Sequence, residues 1–185
     1  MISDTKPSKL LWLDLEMTGL NPIEDLILEV AVIITDYNFS EITEYTAKVK
    51  NKTDELLKQF NNNNWWQDYP DNKKIFLEES VKGKSLDQIE TELLEVINQT
   101  ANDETIYLAG NSIHSDRKFI VRYLPKLDQR LHYRMLDVSS FKILMSGKYQ
   151  VEFSKINNHR AILDVKDSIN ELKYYLDWLL VHKND

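Results

Sequence analysis

Residues 10–15 are apolar except for Asp14, a run of strand length that ends at the breakers of Met17-Thr18-Gly19-Leu20-Asn21-Pro22. Residues 26–35 are almost continuous Leu, Ile and Val interrupted by Glu29, the pattern of a strand covered on both faces. After the turn residues Asp36-Tyr37-Asn38, residues 42–49 alternate as a third strand. Two short connections join these three runs, which predicts an antiparallel meander. The middle of the chain changes period. Residues 53–60 read as a short helix capped by Thr53 or Asp54, and residues 61–64 as a polar loop leading into Trp65-Trp66. Residues 72–80 and 85–98 read as helices, the second with Leu86, Ile89, Leu93, Val96 and Ile97 on one face. Residues 105–109 form a fourth strand ending at Gly110-Asn111-Ser112, and residues 115–124 a helix stopped by Pro125. Residues 135–138 form a short fifth strand, followed by a helix over 139–145. In the last helix, Ile162, Val165, Ile169, Leu172, Leu176 and Leu179 recur at spacings of 3 and 4, a stripe that docks on a sheet. The order predicts an α/β fold: a mixed five-stranded sheet, three strands in a meander and the rest parallel, flanked by helices.

The chain has 185 residues, enough to bury a core, and 42% hydrophobic content with 6 Phe, 4 Trp and 9 Tyr argues a packed globule. With 4 Gly and 4 Pro, no repeats and no low-complexity tract, it reads as one domain over residues 1–185, with 1–8 as a flexible tail. The absence of cysteine excludes disulfides and thiolate metal sites and suits a reducing cytoplasm. No apolar run approaches about 18 residues, so no spanning helix is expected and a cytoplasmic location is. A net charge of −7 argues against electrostatic wrapping of long nucleic acid. Between Arg117 and Arg134, however, six Lys or Arg face one acid, Asp128. That stretch reads either as a solvated helix face or as a site for a short anion.

The chemistry concentrates in Asp14 and Glu16. Side chains at i and i+2 of a strand share a face, so these two carboxylates lie side by side in an otherwise apolar run. At roughly 5 Å and an effective dielectric of about 20, their repulsion is on the order of 3 kcal/mol. A divalent metal between them removes that cost. Asp116, just after the fourth strand, and Asp164, near the start of the last helix, are further candidate ligands, since hard cations prefer carboxylate oxygen. Each also fits a plain role at a helix N-terminus. His159 lies five residues before Asp164, and a neutral imidazole beside a metal cluster can take a proton from water.

The segments that carry these residues have a further property. Asp14-Leu15-Glu16-Met17-Thr18-Gly19-Leu20, Gly110-Asn111-Ser112-Ile113 with Asp116-Arg117, His132-Tyr133-Arg134 with Leu136-Asp137-Val138-Ser139, and His-x-Ala-x-x-Asp at 159–164 resemble, in order, the oligoribonucleases. That family belongs to the DEDDh exonucleases of the ribonuclease-H-like fold, and the resemblance covers nearly the whole chain. It implies a 3′-to-5′ exonuclease that degrades short single-stranded oligoribonucleotides, dinucleotides especially, to mononucleotides. It implies two divalent ions, Mg²⁺ or Mn²⁺, on Asp14, Glu16, Asp116 and Asp164, with His159 as general base. By the same resemblance Leu20 wedges against the terminal bases, while Ser112, Arg134 and Ser139 bind the 5′-end phosphate. Tyr133 reaches the site from a partner subunit, so a homodimer is implied.

The chain also departs from that pattern. The family has a Trp followed by a His in the middle segment; here Trp65-Trp66 is followed by Gln67-Asp68-Tyr69-Pro70, with Trp66 the favoured match, and His114 stands where the family has Gly. Glu29 is a fifth acid, for which a buried, hydrogen-bonded structural role is expected. Two other readings remain: a proofreading-type exonuclease on longer strands, and a nucleic-acid-binding module without catalysis.

Overall fold

The computed structural model describes residues 9–154 and 160–182. Its organising element is β1 (Lys9–Met17), the central strand of five. On one side β1 pairs antiparallel with β2 (Ile27–Thr35), which pairs antiparallel with β3 (Glu41–Lys48). On the other side β1 pairs parallel with β4 (Ile106–Gly110), which pairs parallel with the short β5 (Met135–Asp137). The spatial order is β3-β2-β1-β4-β5, so the expected meander and the two parallel additions are both present.

Alternation along β1 divides the core. Leu11, Leu13 and Leu15 pack with Ile89, Leu93 and Ile97 of α3 (Leu86–Ala101). Leu10 and Trp12 pack with Val165, Ile169 and Leu172 of α7 (Ala161–Val181). Every residue of β2 is buried, because these two layers cover both faces, and its continuous apolar run follows from that. A smaller cluster of Leu28, Leu56, Phe60, Trp66 and Phe76 closes one end beneath α1 (Thr53–Asn62), the single turn Asn64–Gln67 and α2 (Pro70–Ser80).

Helix boundaries follow local chemistry. Ser85 and Gln88 form a capping box at α3, each side chain bonding the other's backbone N–H. Pro70 opens α2 two residues before the expected start, where its missing N–H costs nothing. At α1 neither Thr53 nor Asp54 caps; the N-cap position is Lys52, and Asp54 and Glu55 face the helix dipole from the first turn instead. Pro125 ends α4 (His114–Tyr123) as expected but also starts a six-residue α5 (Pro125–Arg130) that periodicity was too short to signal. α6 (Val138–Leu144) follows β5 directly.

The basic stretch resolves toward structure. Arg117 Nε donates to Asp128 Oδ1 at 2.6 Å and its Nη1 to the His132 carbonyl at 3.0 Å. Arg130 bonds the carbonyls of Asn102 and Glu104, and Arg122 reaches the Ile23 carbonyl at 3.5 Å. Three of the six cations are thus spent tying α4 and α5 to their surroundings.

Candidate active site

Asp14 and Glu16 continue the β1 face that carries Leu10 and Trp12, so they look toward α7 rather than α3. The first turn of α7 lies there and brings Asp164, whose N–H donates to the Arg160 carbonyl at 3.1 Å. One carboxylate oxygen from each of Asp14, Glu16 and Asp164 falls within 4.8 Å of the others, and all three residues are half-buried. Asp116 is placed differently. It sits in the first turn of α4, buried, with Oδ1 accepting the Leu15 N–H at 3.0 Å. It borders β1 beside the trio but is outside that 4.8 Å group. His159 lies outside the described residues, as the neighbour of Arg160.

The electrostatics of the cluster follow from confinement. Burial first, then the Asp164 and Glu29 carboxylates, push the Glu16 carboxyl up from 4.5 to about 8, against the opposing pull of Lys48 and Arg160. Burial, aided by Asp137, pushes Asp116 from 3.8 to about 7, although the N–H bonds from Leu15 and from its own backbone favour the ionised form. Three crowded oxygen donors, one of them resisting ionisation through burial and then through its acidic neighbours, fit a hard divalent cation: the ion supplies the charge that the cluster lacks.

Beside the trio the turn after β1 is locked. Thr18 N–H donates to the Leu26 carbonyl at 2.9 Å, and Thr18 Oγ1 accepts from Leu26 N at 2.9 Å while donating to Asp25 Oδ1 at 3.0 Å. Asn21 N donates to Asp25 Oδ2 at 2.8 Å, and Tyr123 Oη to the Asp25 carbonyl at 2.8 Å. A Cβ on Gly19 would lie 2.5 Å from Asp25 Oδ2, so only glycine permits this closure. Leu20 is carried at the tip, 75% exposed. A cavity of about 360 Å³ runs from Glu16 past Leu20 to the two tryptophans, within the range of roughly 300–1,000 Å³ usual for small-ligand pockets.

The preference for Trp66 over Trp65 changes at this cavity. Trp66 is 2% exposed, donates Nε1–H to the Thr18 carbonyl at 2.8 Å and belongs to the end cluster. Trp65 is 39% exposed and packs edge-on against it. Both border the cavity, but Trp66 braces the turn, while the half-exposed Trp65 also packs on the Tyr69 ring, 4.3 Å between centroids.

Ser112 and Ser139 come together. Ser112, at a positive φ of 48°, donates its N–H to Asp137 Oδ1 at 3.0 Å and Ser139 Oγ at 2.9 Å, and the two hydroxyls are 3.0 Å apart. Ser139 donates to Asn111 Oδ1 at 3.2 Å, and Asn111 is held from below by Ser168 and the buried Glu171, each at 2.9 Å. His114 stands at the edge of this group, 3.5 Å from Asp137 Oδ2. Arg134 and Tyr133 are not part of it. They lie exposed at the opposite end of β5, the guanidinium 5.3 Å from the Tyr133 ring centre.

Glu29 is buried as expected, and its Oε2 is ion-paired with Lys48 Nζ at 2.6 Å and Arg160 Nε at 3.3 Å. Lys48 and Glu79, on β3 and α2, had no motif to mark them. Asp25, which closes the turn, was equally silent, though Gly19 six residues earlier is the signal that could have pointed to it.

The exonuclease family (RNase T) matches residues 11–172. The chain is 37% identical to an oligoribonuclease of Chromobacterium violaceum over 97% of its own length and 99% of that protein. It is 37% identical to an oligoribonuclease of Coxiella burnetii, covering 96% of this chain and 97% of that one. The human mitochondrial oligoribonuclease is 35% identical over 98% of this chain and 78% of its own. Among solved structures, Escherichia coli exonuclease I in complex with an oligonucleotide superposes with a TM-score of 0.59 at 15% identity, over 97% of this chain and 44% of that one. The chain thus spans under half the length of that enzyme, and the likeness concerns the fold.

Proposed function

The chain belongs to the oligoribonuclease family of exonucleases, and from that premise we propose that it is a metal-dependent 3′-to-5′ exoribonuclease acting on very short RNA. The observation that carries the reading is the trio of Asp14, Glu16 and Asp164, whose member Glu16 also lines the cavity bounded by Leu20 and Trp65. These acids, with Asp116, would hold two divalent ions, Mg²⁺ or Mn²⁺. When bound, the metal lowers the pKa of a water and offsets charge on the scissile phosphate. The protein's own residues supply the rest.

Leu20, held out by the Thr18–Asp25 closure, separates the terminal bases, and the exposed part of Trp65, backed by Tyr69 and Trp66, packs against one of them. His159 takes the proton of the attacking water on an imidazole nitrogen as the water oxygen bonds to phosphorus and the P–O3′ bond breaks; the 3′-oxygen takes a proton from solvent and stays on the shortened strand as a hydroxyl, and a nucleoside 5′-monophosphate is released. Ser112 and Ser139, fixed by Asp137 and Asn111, present hydroxyls to the phosphate at the 5′ end and so limit substrate length. Since Arg134 and Tyr133 sit beyond the other end of β5, we assign them to the site of a partner copy in a homodimer. The exposed apolar side chains of Tyr133, Met135, Ile143 and Leu144 support that assembly. None of the described helices is long and apolar enough to cross a membrane, and we place the enzyme in the cytoplasm.

The test is incubation with Mn²⁺ and either a 5′-labelled diribonucleotide or a long single strand. Rapid cleavage of the dinucleotide, abolished by chelator and by Asp14→Ala, is expected. Preference for the long strand would point to a proofreading-type enzyme, and binding without turnover to an inactive module.

A further inference from the structure

Antiparallel register sets Glu16 opposite Glu29 across β1 and β2, and Glu29 opposite Lys48 across β2 and β3. Residues directly opposite share a face, so an acid–acid–base row crosses the sheet on the α7 side. Two residues from above complete it. Lys48 Nζ lies 2.6 Å from Glu29 Oε2 and 3.2 Å from Glu79 Oε2, and Arg160 lies 3.3 Å from Glu29 through Nε and 3.3 Å from Glu79 through Nη2. Glu29, Lys48, Glu79 and Arg160 therefore close a ring of alternating charge with no net charge. It joins β2, β3, α2 and the residue preceding α7.

A partly buried ion ring, with Glu29 its one buried member, is a weak stabiliser, since desolvation offsets much of its attraction. The contacts of Lys48 are also off the hydrogen-bonding axis, which leaves Lys48 Nζ and Glu29 Oε2 held by charge alone. What such a ring does well is fix orientation. Here it fixes Arg160, whose carbonyl accepts the N–H groups of Leu163 at 2.9 Å and Asp164 at 3.1 Å. The first turn of α7 hangs from that residue, and Asp164 must reach Asp14 and Glu16 from it.

We propose that Glu29, Lys48 and Glu79 are positioning residues that clamp Arg160, so that α7 delivers Asp164 to the metal trio. The inference rests on the exoribonuclease reading of the site. Glu79 is the member to change, because it is not one of the three clustered acids and is half-exposed. Glu79→Gln keeps the shape and removes the charge. By analogy with groups that orient metal ligands, it is expected to weaken Mn²⁺ binding, followed by electron paramagnetic resonance, by about 10-fold, and to lower kcat on a diribonucleotide by a similar factor at unchanged KM. In metal-free protein the Leu163 and Asp164 amides should exchange with solvent faster, while the Leu93 amide in α3 does not change. Lys48→Arg, which preserves the ring's charge, should keep wild-type Mn²⁺ affinity.

Unchanged Mn²⁺ affinity and amide exchange in Glu79→Gln overturn the proposal. So does faster exchange in α3 to the same degree, which would make the ring a general stabiliser. Should the wild type bind Mn²⁺ but leave the diribonucleotide intact, with the Glu79→Gln effects on affinity and exchange still present, the positioning role stands and the exoribonuclease reading falls.

Discussion

Replacing Glu16 by Gln should inactivate the enzyme and at the same time stabilise its metal-free form at alkaline pH. The Glu16 carboxyl is pushed from 4.5 to about 8 by burial, Asp164 and Glu29. An acid whose folded pKa is raised keeps its proton in the native state over that interval while the unfolded chain has already lost it. The native state binds more protons, so stability falls as pH rises from about 4.5 to about 8 and stays low above. At about 1.36 kcal/mol per pH unit, the interval corresponds to roughly 5 kcal/mol at full ionisation, of which relaxation and water leave about 3 kcal/mol. Glutamine cannot ionise and avoids that loss. With chelator present, the melting temperature of Glu16→Gln should exceed that of the wild type by about 6–12 °C at pH 9, on a scale of ~2–4 °C per kcal/mol for a chain of this size, and the two should converge near pH 5. Saturating Mn²⁺ should reverse the order at pH 9, because the metal supplies to the wild type the charge the variant no longer needs. For the same reason the Mn²⁺ affinity of the wild type should climb with pH and level off near pH 8. Differential scanning calorimetry across pH 5–9 decides it. A variant less stable than the wild type throughout, or a difference independent of pH, refutes the account of Glu16.

Trp66→Ala should cost about 3–5 kcal/mol in urea unfolding, because it empties the end cluster and unbonds Thr18, whereas Trp65→Ala should leave stability nearly intact and raise KM. Gly19→Ala drives a methyl group into Asp25, and expelling that carboxylate breaks its bonds to Thr18 and Asn21. A loss of about 1–3 kcal/mol by thermal melting should accompany a fall in kcat/KM for the diribonucleotide. Asp116→Asn keeps an oxygen for the Leu15 N–H, so the fold should persist by circular dichroism while kcat drops by at least about 100-fold. Leu20→Ala, at an exposed tip, should leave the melting temperature unchanged and weaken substrate binding alone, as read by steady-state kinetics.

Where a side chain answers to its own strand or helix, the sequence was sufficient. The meander, the helix stripe of α7 and the shared face of Asp14 and Glu16 all follow from periods of 2 and 3.6, which depend on neighbours a few residues away. The short α5 was hidden because six residues hold too few apolar positions to define a period. The basic stretch misled for a related reason: composition records six cations but not that Arg117 turns inward to Asp128 and Arg130 to the carbonyls before β4.

By itself, then, the chain determined the sheet, its family motifs and the acid pair that demands a cation. Tertiary structure alone decided that Asp164 joins that pair while Asp116 turns to the Leu15 N–H. It alone also decided that Trp66 braces what Trp65 exposes, and that Lys48 and Glu79 close a ring on Arg160. The physical reason is distance along the chain. Periodicity reports which face a residue takes, whereas a pairing between Glu29, Glu79 and Arg160 depends on how separate elements cross, and no local pattern of apolar and polar residues carries that angle.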